Sequence, residues 1–120
     1  MKKIFLICPV RKAEKETLDK IHEYVENLKG QGYSVYWPYT DTNQDDPIGT
    51  RICADNRAGI ESADEVHIWW RDDSMGSLFD LGMAWALRKP LLIANKEGVE
   101  PTESKSFQNV LLNWGAKEAL

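Results

Sequence analysis

The chain has 120 residues, enough for one domain with a buried core and too few for two. It is 42% apolar and 28% charged, as soluble globular proteins are, and its net charge of −4 lacks the basic surface that a nucleic-acid polymer demands. The apolar run after Met1 is too short for a signal peptide and no segment is long enough to span a bilayer, so a cytoplasmic protein without membrane contact is expected.

The first element is "KIFLIC", Lys3 to Cys8, whose nearly continuous apolar character fits a strand buried on both faces. Pro9 ends it. Arg11 to Lys29 then carry helical periodicity, with Leu18, Ile21, Val25 and Leu28 on one face and Lys and Glu on the other. Gly30 and Gly32 stop this helix. "YSVYW", Tyr33 to Trp37, reads as the second strand. The polar stretch Pro38 to Gly49 follows as a loop of a length that is often functional. Asp46-Pro47 predicts an N-cap and first helical position for a second helix. That helix runs to about Ala63 and turns Ile52, Cys53, Ile60 and Ala63 toward the sheet. "DEVHIWW", Asp64 to Trp70, is the third strand, and a turn leads into a third helix from Ser74 to about Arg88. "PLLIAN", Pro90 to Asn95, is the fourth strand. A polar loop, Lys96 to Ser106, precedes a short helix around Phe107 to Trp114. Cys8 and Cys53, far apart in this order, fit buried reduced thiols rather than a disulfide or a zinc site.

Strands alternating with helices imply right-handed crossovers, hence an α/β fold. The expectation is a single small Rossmann-like or flavodoxin-like sandwich, with a parallel sheet of four or five strands and helices on both faces. Ligands of such folds sit beyond the carboxyl ends of the strands. The segments at that edge are Cys8, Pro9, Val10 and Arg11, the Pro38–Gly49 loop, Arg71 to Ser77, and Asn95 onward.

Asp80 stands out at that edge, because it is the one charge in the otherwise apolar or small run Leu78 to Leu87. A carboxylate in the first turn of a helix is explained by the dipole, which suits Asp72, Asp73 or Ser74. Asp80 lies deeper, and a buried charge points to a task. Ser74, Gly76 and Ser77 open the same helix with small, hydroxyl-bearing residues whose backbone N–H groups can hold an anion, and Arg11 can pair with a phosphate. Other chemistries are excluded. "DTNQDD" lacks the glycine and glutamate of a calcium loop, no P-loop or dinucleotide fingerprint is present, and the first strand lacks the acidic cluster of a receiver domain. His22 and His67 have no sequence partner and read as structural. No metal and no cofactor is expected.

"DNRAGIESADEVHIWWRDDSMGSLFDLGMAWALRKPLLIAN", Asp55 to Asn95, resembles the core of the nucleoside 2-deoxyribosyltransferase family, which includes related nucleotide N-glycosidases. The resemblance rests on Asp55 in a helix, Ala63-Asp64 before a hydrophobic strand, Gly76, Asp80-Leu81-Gly82-Met83-Ala84, and Lys89-Pro90. "KIFLICPVR" is similar to the family's first strand and turn, and "NVLLNWG", Asn109 to Gly115, to its C-terminal segment.

The resemblance implies cleavage or exchange of the N-glycosidic bond of a (deoxy)nucleoside or its 5′-monophosphate, a small-molecule partner. Asp80, where the family usually carries Glu, becomes the nucleophile that holds the sugar as an ester. Asp55 becomes a sugar or base contact, with Asn56 at the family's spacing to Ile60. The Ser74–Ser77 turn becomes the 5′-hydroxyl or 5′-phosphate contact, and Asn109 a residue that can reach a neighbouring subunit's site. Large apolar residues such as Trp85 and Trp114 agree with a homodimer or larger even assembly. The alternative is a non-catalytic module of the same fold that binds or senses a nucleotide-derived ligand.

Overall fold

The computed structural model describes residues 2–11 and 13–118. Four strands, β1 (Lys3–Ile7), β2 (Ser34–Tyr36), β3 (Glu65–Ile68) and β4 (Leu91–Ile93), form a parallel sheet in the order β2-β1-β3-β4. The helices are α1 (Lys15–Gly30), α2 (Pro38–Asp41), α3 (Thr50–Ser62), α4 (Met75–Ala86) and α5 (Phe107–Glu118), with a 3-10 turn at Lys96–Gly98. This is the α/β sandwich that the alternation predicts, with four of the four or five strands. No helix of the described residues is long and apolar enough to cross a membrane.

Strand order decides which helix covers which face. The chain steps one way from β1 to β2 and the other way from β2 through β3 to β4. Right-handed crossovers therefore put α1 on one face and α3 and α4 on the other. The core divides accordingly. Phe5, Ile7, Val66, Ile68, Leu91 and Ile93 meet Ile60, Leu81, Ala84, Leu111 and Trp114 from α3, α4 and α5. Ile4, Leu6, Val35 and Trp37 meet Ile21, Val25 and Leu28 of α1 alone. The change of direction falls between β1 and β3, and folds of this kind form their ligand crevice beyond the carboxyl ends of such a pair.

Helix α5 runs on to Glu118 where the sequence predicts an end near Trp114, and three further differences each have a local reason. Helix α1 starts at Lys15, not Arg11, and Arg11 lies in the β1–α1 loop with its carbonyl accepting a bond from Arg71. The polar stretch after β2 is not wholly irregular. Pro38 at the helix start and the Asp41 carboxylate, which accepts the Trp37 N–H at 2.8 Å, close the single turn of α2. Helix α3 begins at Thr50 instead of Pro47, with Gly49 at its N-cap in the left-handed region at φ 97°. Asp46 still caps it from upstream, its Oδ2 accepting the N–H groups of Arg51 and Ile52. Backbone donors, led by Gly49 and Ile52, hold its carboxyl below the usual range.

Candidate active site

Helix α4 buries Ser77, Asp80, Leu81 and Ala84, a stripe at three- and four-residue steps. Asp80 is therefore an inward position in the second turn, 8% exposed, at the crevice end of the helix. Helix α3 does the same with Asn56 and Ile60, one turn apart. A Cβ on Gly59 would sit 3.0 Å from the Phe5 ring, so the missing side chain is what lets α3 lie directly on β1. That close approach brings Asn56 to Asp80, with Asn56 Nδ2 donating to Asp80 Oδ2 at 3.4 Å.

The polar contacts continue outward from Asn56. Its Oδ1 accepts from the Thr42 hydroxyl at 2.9 Å, and Thr42 Oγ1 lies 2.6 Å from the Tyr36 hydroxyl. Thr42 is as buried as Asn56 and Asp80. The Tyr36 ring is itself fixed, stacked on Phe5 at 5.4 Å. Burial raises the Asp80 pKa to about 6, against the smaller opposing pull of the Asn56 bond. Among the described residues, no cation is one of the groups that set it. The Cys8 thiol at the end of β1 is pushed up to about 12 by burial, against the bond it accepts from Trp37 Nε1 at 2.9 Å, and the Asp80 charge raises it further. Cys8 is thus a neutral thiol at the end of β1.

The other expected site residues sort into two groups. Ser74 caps α4, its Oγ accepting the Ser77 N–H at 3.3 Å, and the two hydroxyls lie 2.8 Å apart. Gly76 beside them faces open space. Pro9 is buried and Arg11 is exposed in the β1–α1 loop, which the bond from Arg71 to the Arg11 carbonyl joins to the loop before α4. These residues share the carboxyl edge with Asp80. Asp55 and Asn109 are engaged elsewhere. Asp55 is half-exposed and holds Arg51 at 2.7 Å, whereas its neighbour Asn56 makes the contact with Asp80. Asn109 gives its whole amide to the loop before α5, accepting from the Thr102 N–H and donating to the Thr102 and Ser104 carbonyls. Asn95 ties β3 to β4 through both polar atoms of Trp70.

Tyr36, Thr42 and Gly59 were not singled out from the sequence. The glycine inside a helical pattern was the one available sign, since such a residue commonly marks a close approach. Nothing local marks Thr42 or Tyr36.

A four-stranded parallel sheet in the order β2-β1-β3-β4 with helices on both faces defines the class, a small Rossmann-like sandwich. Solved structures that share this fold include two 2-deoxyribosyltransferases and a CMP N-glycosidase. The 2-deoxyribosyltransferase of the psychrotolerant bacterium Bacillus psychrosaccharolyticus matches at 23% identity with a TM-score of 0.65, over 76% of this chain and 70% of that one. The 2-desoxiribosyltransferase of Leishmania mexicana matches at 23% and 0.61, over 78% and 63%. A CMP N-glycosidase of Clostridium botulinum matches at 18% and 0.58, over 77% and 70%. No family model and no curated protein matches the sequence.

Proposed function

We propose that this protein cleaves or exchanges the N-glycosidic bond of a nucleoside or nucleoside 5′-monophosphate, with Asp80 as the attacking group. One observation carries the reading. Asp80 is buried at the carboxyl edge, titrates near 6, and is therefore largely ionised at neutral pH, with no cation beside it among the described residues. A pre-placed anion of this kind stabilises positive charge that develops at a sugar's anomeric carbon. With Oδ2 held by Asn56, Oδ1 attacks C1′. The C1′–N bond breaks, its electron pair leaves with the base, and the base takes a proton from water. The resulting sugar ester is then opened at C1′ by water, which gives hydrolysis, or by a second base, which gives exchange. Either acceptor returns Asp80 as a carboxylate. The same-fold transferases and CMP N-glycosidase support this choice of substrate class.

The joined loops that carry Arg11 and the Ser74–Ser77 turn suit the 5′ end of the substrate. A phosphate there meets a guanidinium and a helix start, and we expect monophosphates to bind better than nucleosides. A second copy is expected against α4 and α5. Trp114 is buried, but its edge-on neighbour Trp85 stays 60% exposed, and Phe79, Phe107 and Val110 are exposed as well. Free, unpaired cysteines and a nucleotide substrate suit a cytoplasmic protein.

Incubation with a panel of nucleosides and their 5′-monophosphates, followed by chromatography for free base, tests the activity, and light scattering tests the assembly. Released base that Asp80→Asn abolishes supports the reading. Binding without release by the wild type would make the protein a sensing module instead.

A further inference from the structure

We propose that Thr42 and Tyr36 are positioning residues, which hold the amide of Asn56 in the one orientation that presents N–H to Asp80. The effect on catalysis rests on reading Asp80 as the attacking group, whereas the effect on the Asp80 carboxyl does not.

An asparagine amide has two ends of opposite polarity and nearly equal shape. If the N–H end faces Asp80, it supports the carboxylate. If the amide turns over, its carbonyl faces Asp80 and favours the protonated acid. Asp80 alone therefore leaves the amide dependent on pH, and a second partner is needed to set its direction.

Thr42 is that partner. It is 4% exposed, comes from the segment after α2, and gives its single hydroxyl proton to Asn56 Oδ1 at 2.9 Å. A threonine hydroxyl can also accept, so Thr42 needs a group on its far side that makes it a donor. The Tyr36 hydroxyl, 2.6 Å from Thr42 Oγ1, has this role. A phenol donates better than it accepts, and the other acceptor near Tyr36, the Asp41 carbonyl, is distant at 3.4 Å. The Tyr36 ring is in turn anchored by its stack on Phe5. Donation then runs from Tyr36 to Thr42 to the Asn56 carbonyl, and the amide N–H is left pointing at Asp80.

The groups facing Asp80 leave Asn56 as its chief support. The Cys8 thiol, from the end of β1, is neutral and contributes no positive charge. Asn56, from α3, is the opposing influence against burial. On α4 itself Ser77 is paired with Ser74. Among the described residues, a loosened amide thus has no charged neighbour to take over.

The experiment reads the carboxyl carbon of Asp80 by NMR as a function of pH, assigned by its disappearance in Asp80→Asn. The wild type should titrate near 6. Thr42→Val keeps the shape and removes the hydroxyl, and should move the midpoint up by about half to one pH unit, the size of one modest hydrogen bond. Thr42→Ser should restore it. Tyr36→Phe should give a smaller rise in the same direction, and it serves as the reading if Thr42→Val does not fold. The acidic limb of kcat/KM should move with the midpoint in each variant. An unmoved midpoint in folded Thr42→Val, or in Tyr36→Phe where the valine variant does not fold, would overturn the proposal. A wild type that releases no base would instead overturn the proposed activity, with the NMR result still deciding the role of Thr42 and Tyr36.

Discussion

Two polar chains run into this small sandwich, one on each face of the sheet, and they end differently. On the α1 face, Lys2 Nζ donates to Glu65 at 3.2 Å, the other Glu65 oxygen meets His67 Nε2 at 2.6 Å, and His67 Nδ1 meets the Tyr24 hydroxyl at 2.6 Å. Burial lowers the His67 pKa, against the pull of Glu65, so the neutral ring donates Nε2–H to Glu65 and accepts the Tyr24 proton at Nδ1. Burial likewise pushes the Tyr24 phenol up to about 12. It would raise Glu65 as well, but the bonds from His67 and Lys2 outweigh it and leave that carboxyl below its usual range. Each oxygen of this acid has its own donor.

On the α3–α4 face, the chain from Tyr36 through Thr42 and Asn56 ends on a carboxylate with a long amide contact and, among the described residues, no cation. The first chain is satisfied without any ligand and reads as structure. The second is costly to fold and suited to a positive centre that arrives later, as functional sites commonly are.

The sharpest way to break this comparison is to neutralise each acid end in turn. Asp80→Asn should lower base release by about a thousandfold or more while nucleoside binding survives, as loss of a nucleophile does. His67→Leu should leave base release unchanged. Equal losses in the two variants, measured by chromatography of free base, would erase the distinction.

The next effect is on stability against pH, where the two chains have opposite signs. Asp80 titrates near 6 folded and near 3.8 unfolded, so the folded state holds more protons between these values. Its contribution is most favourable below that window, falls as pH rises through it, and is flat above. The span is about 3 kcal/mol. Asp80→Asn should remove this slope and be more stable than the wild type at pH 7. His67, with its folded pKa below 6.5, works in reverse: its contribution is present at pH 7 and is lost as pH falls. Denaturant titrations from pH 4 to 8 on the wild type and both variants separate the two slopes.

His67→Leu also strands Glu65 and Tyr24, each in a partly buried place. It should destabilise the fold at pH 7 by about 1–3 kcal/mol, read in the same titrations. A neutral outcome would mean that the α1-face chain is as dispensable to folding as it is to chemistry.

The smallest expected effect sharpens the site itself. Asp80→Glu adds one methylene in a buried place. Phe79, beside it in sequence, is exposed and offers no resistance, so the extra length presses on Asn56 across the gap between α3 and α4. We expect activity to fall by about tenfold, the rate equivalent of mild overpacking. A Glu variant more active than the wild type would show a pocket shaped for the longer acid.

Much of this was legible before folding. Short apolar runs and the 3.6-residue period place every strand and four of the five helices, because burial imposes those patterns on the sequence. Asp80 is visible because it is the one charge in the otherwise apolar or small run Leu78 to Leu87, and the helix carries it inward. The choice between Asp55 and Asn56 was less visible. Both are polar, they are adjacent, and a helix turns them about 100° apart, so only the seating of α3 on Phe5 decides which one faces the crevice. Asp46 as a cap was legible by type but not by position, since its bonds reach Arg51 and Ile52 across the left-handed turn at Gly49.

The amino-acid sequence by itself determined the alternation of strands and helices, the parallel sheet that follows from it, and the single buried acid at the carboxyl edge. These depend on local periodicity and on the handedness of L-residues, which every stretch of chain carries. Only the tertiary structure decided what Asp80 touches. Asn56 lies 24 residues before it, Thr42 a further 14 before that, and Tyr36 stands on another strand, held by Phe5. Contacts between such distant residues depend on how closely α3 settles on β1, a distance set by the absent side chain of Gly59 and by no pattern along the chain.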